Sequence, residues 1–190
     1  MAFLRKFLFF FLSIINHIIF WINKVYKPYP TVNGIITIMN HGGTMQVGAG
    51  ASINSSSIKN IIGGDTRSSF VIKKNATLII GENFKMSNSA IYCAEKIQIG
   101  NNVMIGGSCK IWDTDFHPLN PNQRRETQNE NYTTRPITIG DDVFIGGFSI
   151  ILKGVSIGNA SIIGAGSVVS KDVPAGEIWA GNPAVFIRKI

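Results

Sequence analysis

Residues 139–173 read IGDDVFIGGFSIILKGVSIGNASIIGAGSVVSKDV, and an aliphatic residue recurs there every six places, at Ile139, Ile145, Ile151, Ile157, Ile163 and Val169. Four places after each stands a small or β-branched residue: Val143, Ser149, Val155, Ser161, Ser167 and Val173. Glycine follows the aliphatic at Gly140, Gly146, Gly158 and Gly164. A helix repeats at about 3.6 residues and a strand at about 2, so neither alone generates a period of six. A coil of three short strands does, if each strand with its turn uses six residues and the aliphatic points into the prism from every face. The pattern predicts a parallel β-helix, a solenoid in which each coil rests on the last.

The frame continues upstream with defects. Cys93, Ile99, Ile105 and Ile111 are in register, with Ile97, Val103 and Cys109 at the small or branched position. Ile80, Met86 and Tyr92 step by six but one residue out of phase, which places an inserted residue near Tyr92. Val47 to Ile53 makes another step within a looser stretch, residues 31–79, read as early coils. A sandwich of unrelated strands would instead space its turns by about 8–12 residues with no fixed frame. Both cysteines fall on inward positions and read as small buried hydrophobes; their spacing fits neither a zinc motif nor a disulfide framework.

The 190 residues have room for one domain and an appendage. The net charge of +7 is concentrated at the N-terminal end, where Arg5, Lys6, Lys24, Lys27 and Lys59 precede the first acid, Asp65. That imbalance points to an anionic surface near this end. No basic stripe interleaved with aromatics runs through the repeats, so nucleic acid is not an expected partner. Residues 2–22, AFLRKFLFFFLSIINHIIFWI, read as an apolar, amphipathic helix without the small-x-small cleavage site of a signal peptide. At helical spacing Lys6, Ser13, His17 and Lys24 form a narrow polar stripe, with Asn16 beside it. The expected placement is in a membrane interface, apolar face down, with Trp21, Tyr26 and Tyr29 at headgroup level beside Lys24 and Lys27. Two other readings stand beside it: a short membrane span, and a helix packed on the solenoid as the cap of its first coil. Lys27-Pro28-Tyr29-Pro30 is expected to end the helix. Residues 1–30 then form the membrane-associated segment and 31–190 the solenoid. The corresponding location is the cytoplasm, peripherally attached to the inner face of the cell membrane.

After Ile111 the frame breaks, and it resumes at Ile137. The excursion, residues 112–136, is WDTDFHPLNPNQRRETQNENYTTRP, polar and without periodicity. A long excursion in a strict solenoid is usually functional. It holds Asp113-Thr114-Asp115-Phe116-His117-Pro118. Histidine is suited to taking a proton from a hydroxyl or amine near neutral pH, Pro118 restrains the backbone after it, and Asp113 or Asp115 is placed to orient the ring.

Residues 139–190, with the motifs IGAGSVV, KDVP, AGNPA and a terminal IRKI, resemble the hexapeptide-repeat acyltransferases, closest to the branch of maltose, galactoside and capsular-polysaccharide O-acetyltransferases. The resemblance is close over about residues 97–190 and loose over 31–96. It implies a left-handed parallel β-helix, an all-β fold with the excursion as active-site loop. His117 matches the family's catalytic histidine, and the implied chemistry is direct transfer from acetyl-CoA to a sugar hydroxyl, with neither an acyl-enzyme nor a metal. Carried over by position, Gly147 offers its backbone amide near the thioester and Ala165 lies along the pantetheine. Ser170, Lys171 and Arg188 lie near the nucleotide phosphates. Val185 stands where many members have a basic residue after AGNPA, which puts one phosphate contact in doubt. Met86 occupies the position of an acceptor-side asparagine, leaving Asn88, two places on, as a weak candidate for acceptor binding. A homotrimer with sites between subunits is also implied.

The leading reading is an acetyl-CoA-dependent O-acetyltransferase of cell-surface polysaccharide synthesis. Transfer to an amino sugar or an antibiotic keeps the donor and changes the acceptor. A zinc carbonic anhydrase on the same fold needs three histidine ligands, and the chain has only His17, His41 and His117, the first inside the apolar helix. A non-catalytic scaffold would keep the hexads but has no use for the excursion or the C-terminal signature.

Overall fold

The computed structural model describes residues 2–56, 58, 60–63, 66–126 and 132–190; the side chains of residues 2–6 and 8 lie outside that description. The Lys6 end of the expected polar stripe and residues 127–131 of the excursion are therefore outside it as well. A single long helix, α1 (Ala2–Ile22), precedes three parallel sheets that the chain visits in rotation. The first face holds β1 (Thr31–Gly34), β4 (Ser52–Ser55), β7 (Lys85–Ser87), β10 (Met104–Ile105), β13 (Phe144–Ile145), β16 (Ile162–Ile163) and β18 (Glu177–Ala180). The second holds β2 (Thr37–Asn40), β5 (Ser69–Ile72), β8 (Ala90–Cys93), β11 (Lys110–Trp112), β14 (Ile150–Ile151) and β17 (Val168–Val169). The third holds β3 (Thr44–Val47), β6 (Thr77–Ile80), β9 (Lys96–Ile99), β12 (Ile137–Ile139) and β15 (Ser156–Ile157). This is a left-handed parallel β-helix, closed at its C-terminal end by β19 (Val185–Lys189), which folds back antiparallel on β18. A short helix, α2 (Pro121–Arg124), lies in the excursion.

The six-residue frame decides which side chains fill the prism. Ile139, Ile145, Ile151, Ile157, Ile163 and Val169 are all buried, and so are the six small or branched residues that follow them. Each inward residue stacks on its counterpart in the next coil: Ile105 on Ile145 on Ile163, Ile111 on Ile151 on Val169, Ile99 on Ile139 on Ile157. The buried serines satisfy themselves on corner carbonyls. Ser149 Oγ donates to Gly146 O at 2.7 Å, Ser161 Oγ to Pro174 O at 2.7 Å and Ser167 Oγ to Gly164 O at 2.6 Å. At another corner, side-chain oxygens bind amides of the coil before: Asn159 Oδ1 accepts from Asp141 N at 3.0 Å, and Asp141 Oδ1 from Asn101 N at 2.6 Å. Buried turns thus keep their backbone groups paired without water.

The phase defect differs in detail from the sequence reading. Tyr92 does not point inward; Ile91 and Cys93 do, and Tyr92 lies on the outer face in register with Val71 and Trp112. The step from Met86 to Ile91 is five residues and that from Ile91 to Ile99 is eight. The extra length therefore sits in the turn between β8 and β9, not at Tyr92.

Helix α1 ends at Ile22, earlier than the Lys27–Pro30 segment expected to stop it, and Lys24 takes a positive φ of 53° just beyond. It lies across the open end of the first coil. Phe20 and Val25 are buried in the core with Met45 and Ile36, and Tyr26 bridges to Gln46 of β3. Asn16, read as part of a water-facing stripe, is buried instead: its Nδ2 donates to Gly34 O at 2.9 Å and its Oδ1 accepts from Ile36 N at 3.1 Å. Asn23 repeats the arrangement with Asn40. A solenoid end exposes a row of unpaired backbone groups, and these two amides satisfy part of it. Among the described residues no helix is long and apolar enough to cross a membrane.

Ile157→Asp would place an unpaired carboxylate on the dry axis and is expected to unfold the chain. Ile157→Val should cost only about 1 kcal/mol. Thermal melts followed by circular dichroism compare the two; a melt of Ile157→Asp matching the parent chain would refute the inward frame.

Candidate active site

The excursion leaves the prism after β11, at the edge between the second and third faces, and its base is closed by a short ladder. Thr114 bridges antiparallel to Thr134, Asp115 N donates to Thr133 O at 3.0 Å, and Arg135 N donates to Asp113 O at 3.0 Å. Asp113 is wholly buried. Its Oδ1 accepts from Ala94 N at 2.6 Å, and its Oδ2 accepts from Glu95 N and Lys96 N at 2.8 Å each. Those amides form the widened turn between β8 and β9, so one carboxylate fastens the root of the excursion to the coil before it. Burial pushes the Asp113 carboxyl up from its ordinary range, while the amide donors pull the other way. Burial and the neighbouring Asp113 charge push the Cys93 thiol up to about 12, which leaves it an inert core residue.

This geometry corrects one expectation. Asp113 does not orient the His117 ring, because both of its oxygens are engaged by backbone amides. Asp115 is placed differently: its Oδ1 pairs with Lys153 Nζ at 3.1 Å, and its Oδ2 is buried without a hydrogen-bond partner. Phe116 follows at a φ of 62°, its ring 4.8 Å from that of Tyr92 and 6.0 Å from that of Trp112 on the outer face. Pro118 is buried behind, and α2 starts from the Asn120 cap. His117 thus stands exposed between two anchored residues, and no hydrogen bond joins it to a carboxylate among the described residues.

Gly147 and Ala165 lie at a different edge, between the first and second faces. Here Gly106–Gly107, Gly146–Gly147 and Gly164–Ala165 stack coil upon coil. A Cβ on Gly146 would come within 2.5 Å of Ala165 N, and one on Gly106 within 2.5 Å of Gly147 N, so the column admits no side chain at either place. The Gly147 and Ala165 amides donate to no acceptor among the described residues. A bare backbone edge with unpaired N–H groups suits the carbonyls of an extended pantetheine arm.

The remaining expected residues are scattered. Ser170 and Lys171 are exposed after β17, on the edge that carries Lys153 and the excursion. Arg188 is exposed on β19. A single chain therefore does not bring the coenzyme set together; it divides it between edges. Asn88 is corrected: it is fully buried at a corner with a φ of 43°, and its Nδ2 donates to Thr66 O at 2.6 Å, pinning the smaller excursion of residues 56–68. The sequence reading missed a groove of about 310 Å³ on the first face, where Ser52, Asn54, Lys85, Ser87, Met104 and Phe144 point outward. Asn54 Oδ1 is buried there without a partner. The signal was available: these are outward neighbours of the inward residues Ile53, Met86, Ile105 and Ile145.

Residues 136–171 match the family model described as bacterial transferase hexapeptide (six repeats). The chain is similar to a maltose O-acetyltransferase from Clostridium difficile 630, with 32% identity and a TM-score of 0.54 over 76% of this chain and 67% of that one. The chain belongs to the hexapeptide-repeat acyltransferase family. It is also similar to the galactoside O-acetyltransferase of Escherichia coli, 39% identical over 112 residues, which cover 58% of this chain and 53% of that protein. A hexapeptide-repeat acetyltransferase of Vibrio cholerae, solved with acetyl coenzyme A, gives 27% identity and a TM-score of 0.56 over 87% of this chain and 70% of that one. The chain spans about half the length of the curated relatives it matches, from 44% to 60% for the first three.

Asp113→Asn would turn an amide group toward backbone N–H donors. It is expected to lower stability by about 1–3 kcal/mol, measured by urea unfolding. Asp115→Asn, at a partly exposed ion pair, is expected to change it by less than about 1 kcal/mol.

Proposed function

We propose that the protein is an acetyl-CoA-dependent O-acetyltransferase acting on a sugar hydroxyl in cell-surface polysaccharide synthesis, with His117 as general base. The observation that carries this reading is an exposed histidine on a firmly rooted excursion, in a chain with a bare, amide-lined glycine edge. The relatives named for maltose and galactoside O-acetylation support a sugar acceptor, and the relative solved with acetyl coenzyme A supports the donor. The outward groove on the first face suits such an acceptor, since its amide, hydroxyl and ammonium groups lie beside the apolar Met104 and Phe144.

Acetyl-CoA is a substrate whose thioester carries an activated acyl carbon. His117 takes the acceptor hydroxyl proton as the oxygen attacks that carbon. The carbon–sulfur bond then breaks, and the imidazolium returns the proton to the leaving thiolate, giving an ester and free coenzyme A. Gly147 N–H and Ala165 N–H hold the donor arm, while Lys171 and Arg188 supply positive charge for its phosphates. Because His117 and the glycine column occupy different edges of one prism, the working unit is a homotrimer in which one subunit's excursion meets its neighbour's column.

His117→Ala is expected to lower turnover by about 10²–10⁴-fold, with coenzyme A affinity and melting temperature nearly unchanged. His41→Ala should stay within a few-fold of the parent. Acetyl transfer from labelled acetyl-CoA to a panel of mono- and oligosaccharides measures both. Near-normal transfer by His117→Ala would remove the histidine from the mechanism.

A further inference from the structure

Helix α1 is amphipathic in the opposite sense from an ordinary surface helix, which turns its apolar side to the protein. Its polar Asn16 and Asn23 face the first coil and bond to its backbone. On the opposite arc Phe10, Phe11, Ile14, Ile18, Trp21 and Ile22 are each between 43% and 73% exposed. A shallow groove of about 430 Å³ runs among Phe10, Ile14, Ile18 and Trp21, with Ser13 and His17 at its rim. The asparagine bonds fix this apolar strip rigidly to the end of the prism.

The surrounding charge narrows the choice of what covers the strip. Residues 1–64 carry five Lys or Arg and no Asp or Glu. Lys24 and Lys27 are exposed just past the helix, beside the exposed Trp21 and Tyr26. A second copy docked strip to strip would bring two uniformly basic surfaces together. An anionic bilayer satisfies the apolar strip and the charge at once. From Phe7 to Ile22 the helix is about 24 Å long at 1.5 Å per residue, short of the roughly 30 Å hydrocarbon core. It therefore suits the interface plane and does not span.

We propose that α1 docks the protein on an anionic lipid surface, with the first coil against the membrane and the prism standing above it. The excursion of His117 springs from the fourth coil. Three inter-coil spacings of about 4.8 Å set it roughly 14 Å beyond the first coil. On the proposed acetyl transfer, which this docking does not require, the acceptor would be a glycan held close to the bilayer, such as one joined to a lipid.

The test is flotation of the full chain with vesicles of phosphatidylcholine containing about one-third phosphatidylglycerol, against vesicles of phosphatidylcholine alone. The parent chain should float with the anionic vesicles and much less with the neutral ones. Ile14→Glu combined with Ile18→Glu should abolish flotation with no change in melting temperature, because both residues are exposed. Lys24→Glu combined with Lys27→Glu should weaken binding by more than about tenfold. A parent chain that stays unbound, or an Ile14→Glu/Ile18→Glu variant that floats like it, overturns the proposal. So does sedimentation showing that the parent, without binding vesicles, forms a larger assembly than that variant; the strip would then belong to a second copy.

Discussion

The contact between one inward aliphatic and its counterpart in the next coil is the constraint on which the rest depends. Ile145 on Ile163, or Ile151 on Val169, fixes the strand register, and the register brings the corners of successive coils together. Once the corners stack, their backbones approach so closely that a side chain at Gly146 would strike the next coil. The bare edge at Gly147 and Ala165 is therefore a by-product of core packing. A donor-binding track of unpaired amides follows from the same spacing that keeps the prism dry, which explains why one hexad can serve stability and chemistry together.

That economy also decides what the sequence disclosed. A period of six with small residues four places on is a direct imprint of coil geometry, so the axis from Ile139 to Val169 was legible residue by residue. His117 was legible as a candidate because its excursion interrupts a strict frame. Asp113 was misread since its chemistry looks the same on paper whether it faces a ring or three amides. Its target, the turn at Ala94–Lys96, lies in the previous coil, a relation that local spacing does not encode. Asn88 failed for a related reason: a polar residue in a corner is as readily a backbone clamp as a binding group. Asn16 belongs to this set too. Helical spacing placed it correctly around the axis of α1, but spacing does not say which side the prism occupies.

The groove on the first face went unseen because hexad reading attends to inward positions. Outward residues of a parallel sheet form columns as regular as the core: Ser52, Lys85, Met104 and Phe144 stand in one register line. Such a column changes character along its length, from hydroxyl through ammonium to thioether and ring. The prism thus presents a graded surface beside an invariant axis, and specificity can vary there without disturbing the fold. The division of His117 and the glycine column between two edges gives that surface a further meaning, since the chemistry then belongs to the seam between copies.

The excursion also shapes how the chain comes together. Coil neighbours such as Ile145 and Ile163 are 18 residues apart, whereas Ile105 and Ile145 are separated by 40. Closing the longer loop costs about 0.7 kcal/mol more in chain entropy, before the ordering of the loop itself. Growth of the solenoid, which is otherwise a sequence of similar short additions, meets one slow addition there. Asp113 lies at the first residue beyond β11 and grips a turn already laid down, so it holds the growing end in place while the next 22 residues are searched. The β-helix thus assembles as two segments, with a boundary at the coil that bears the histidine.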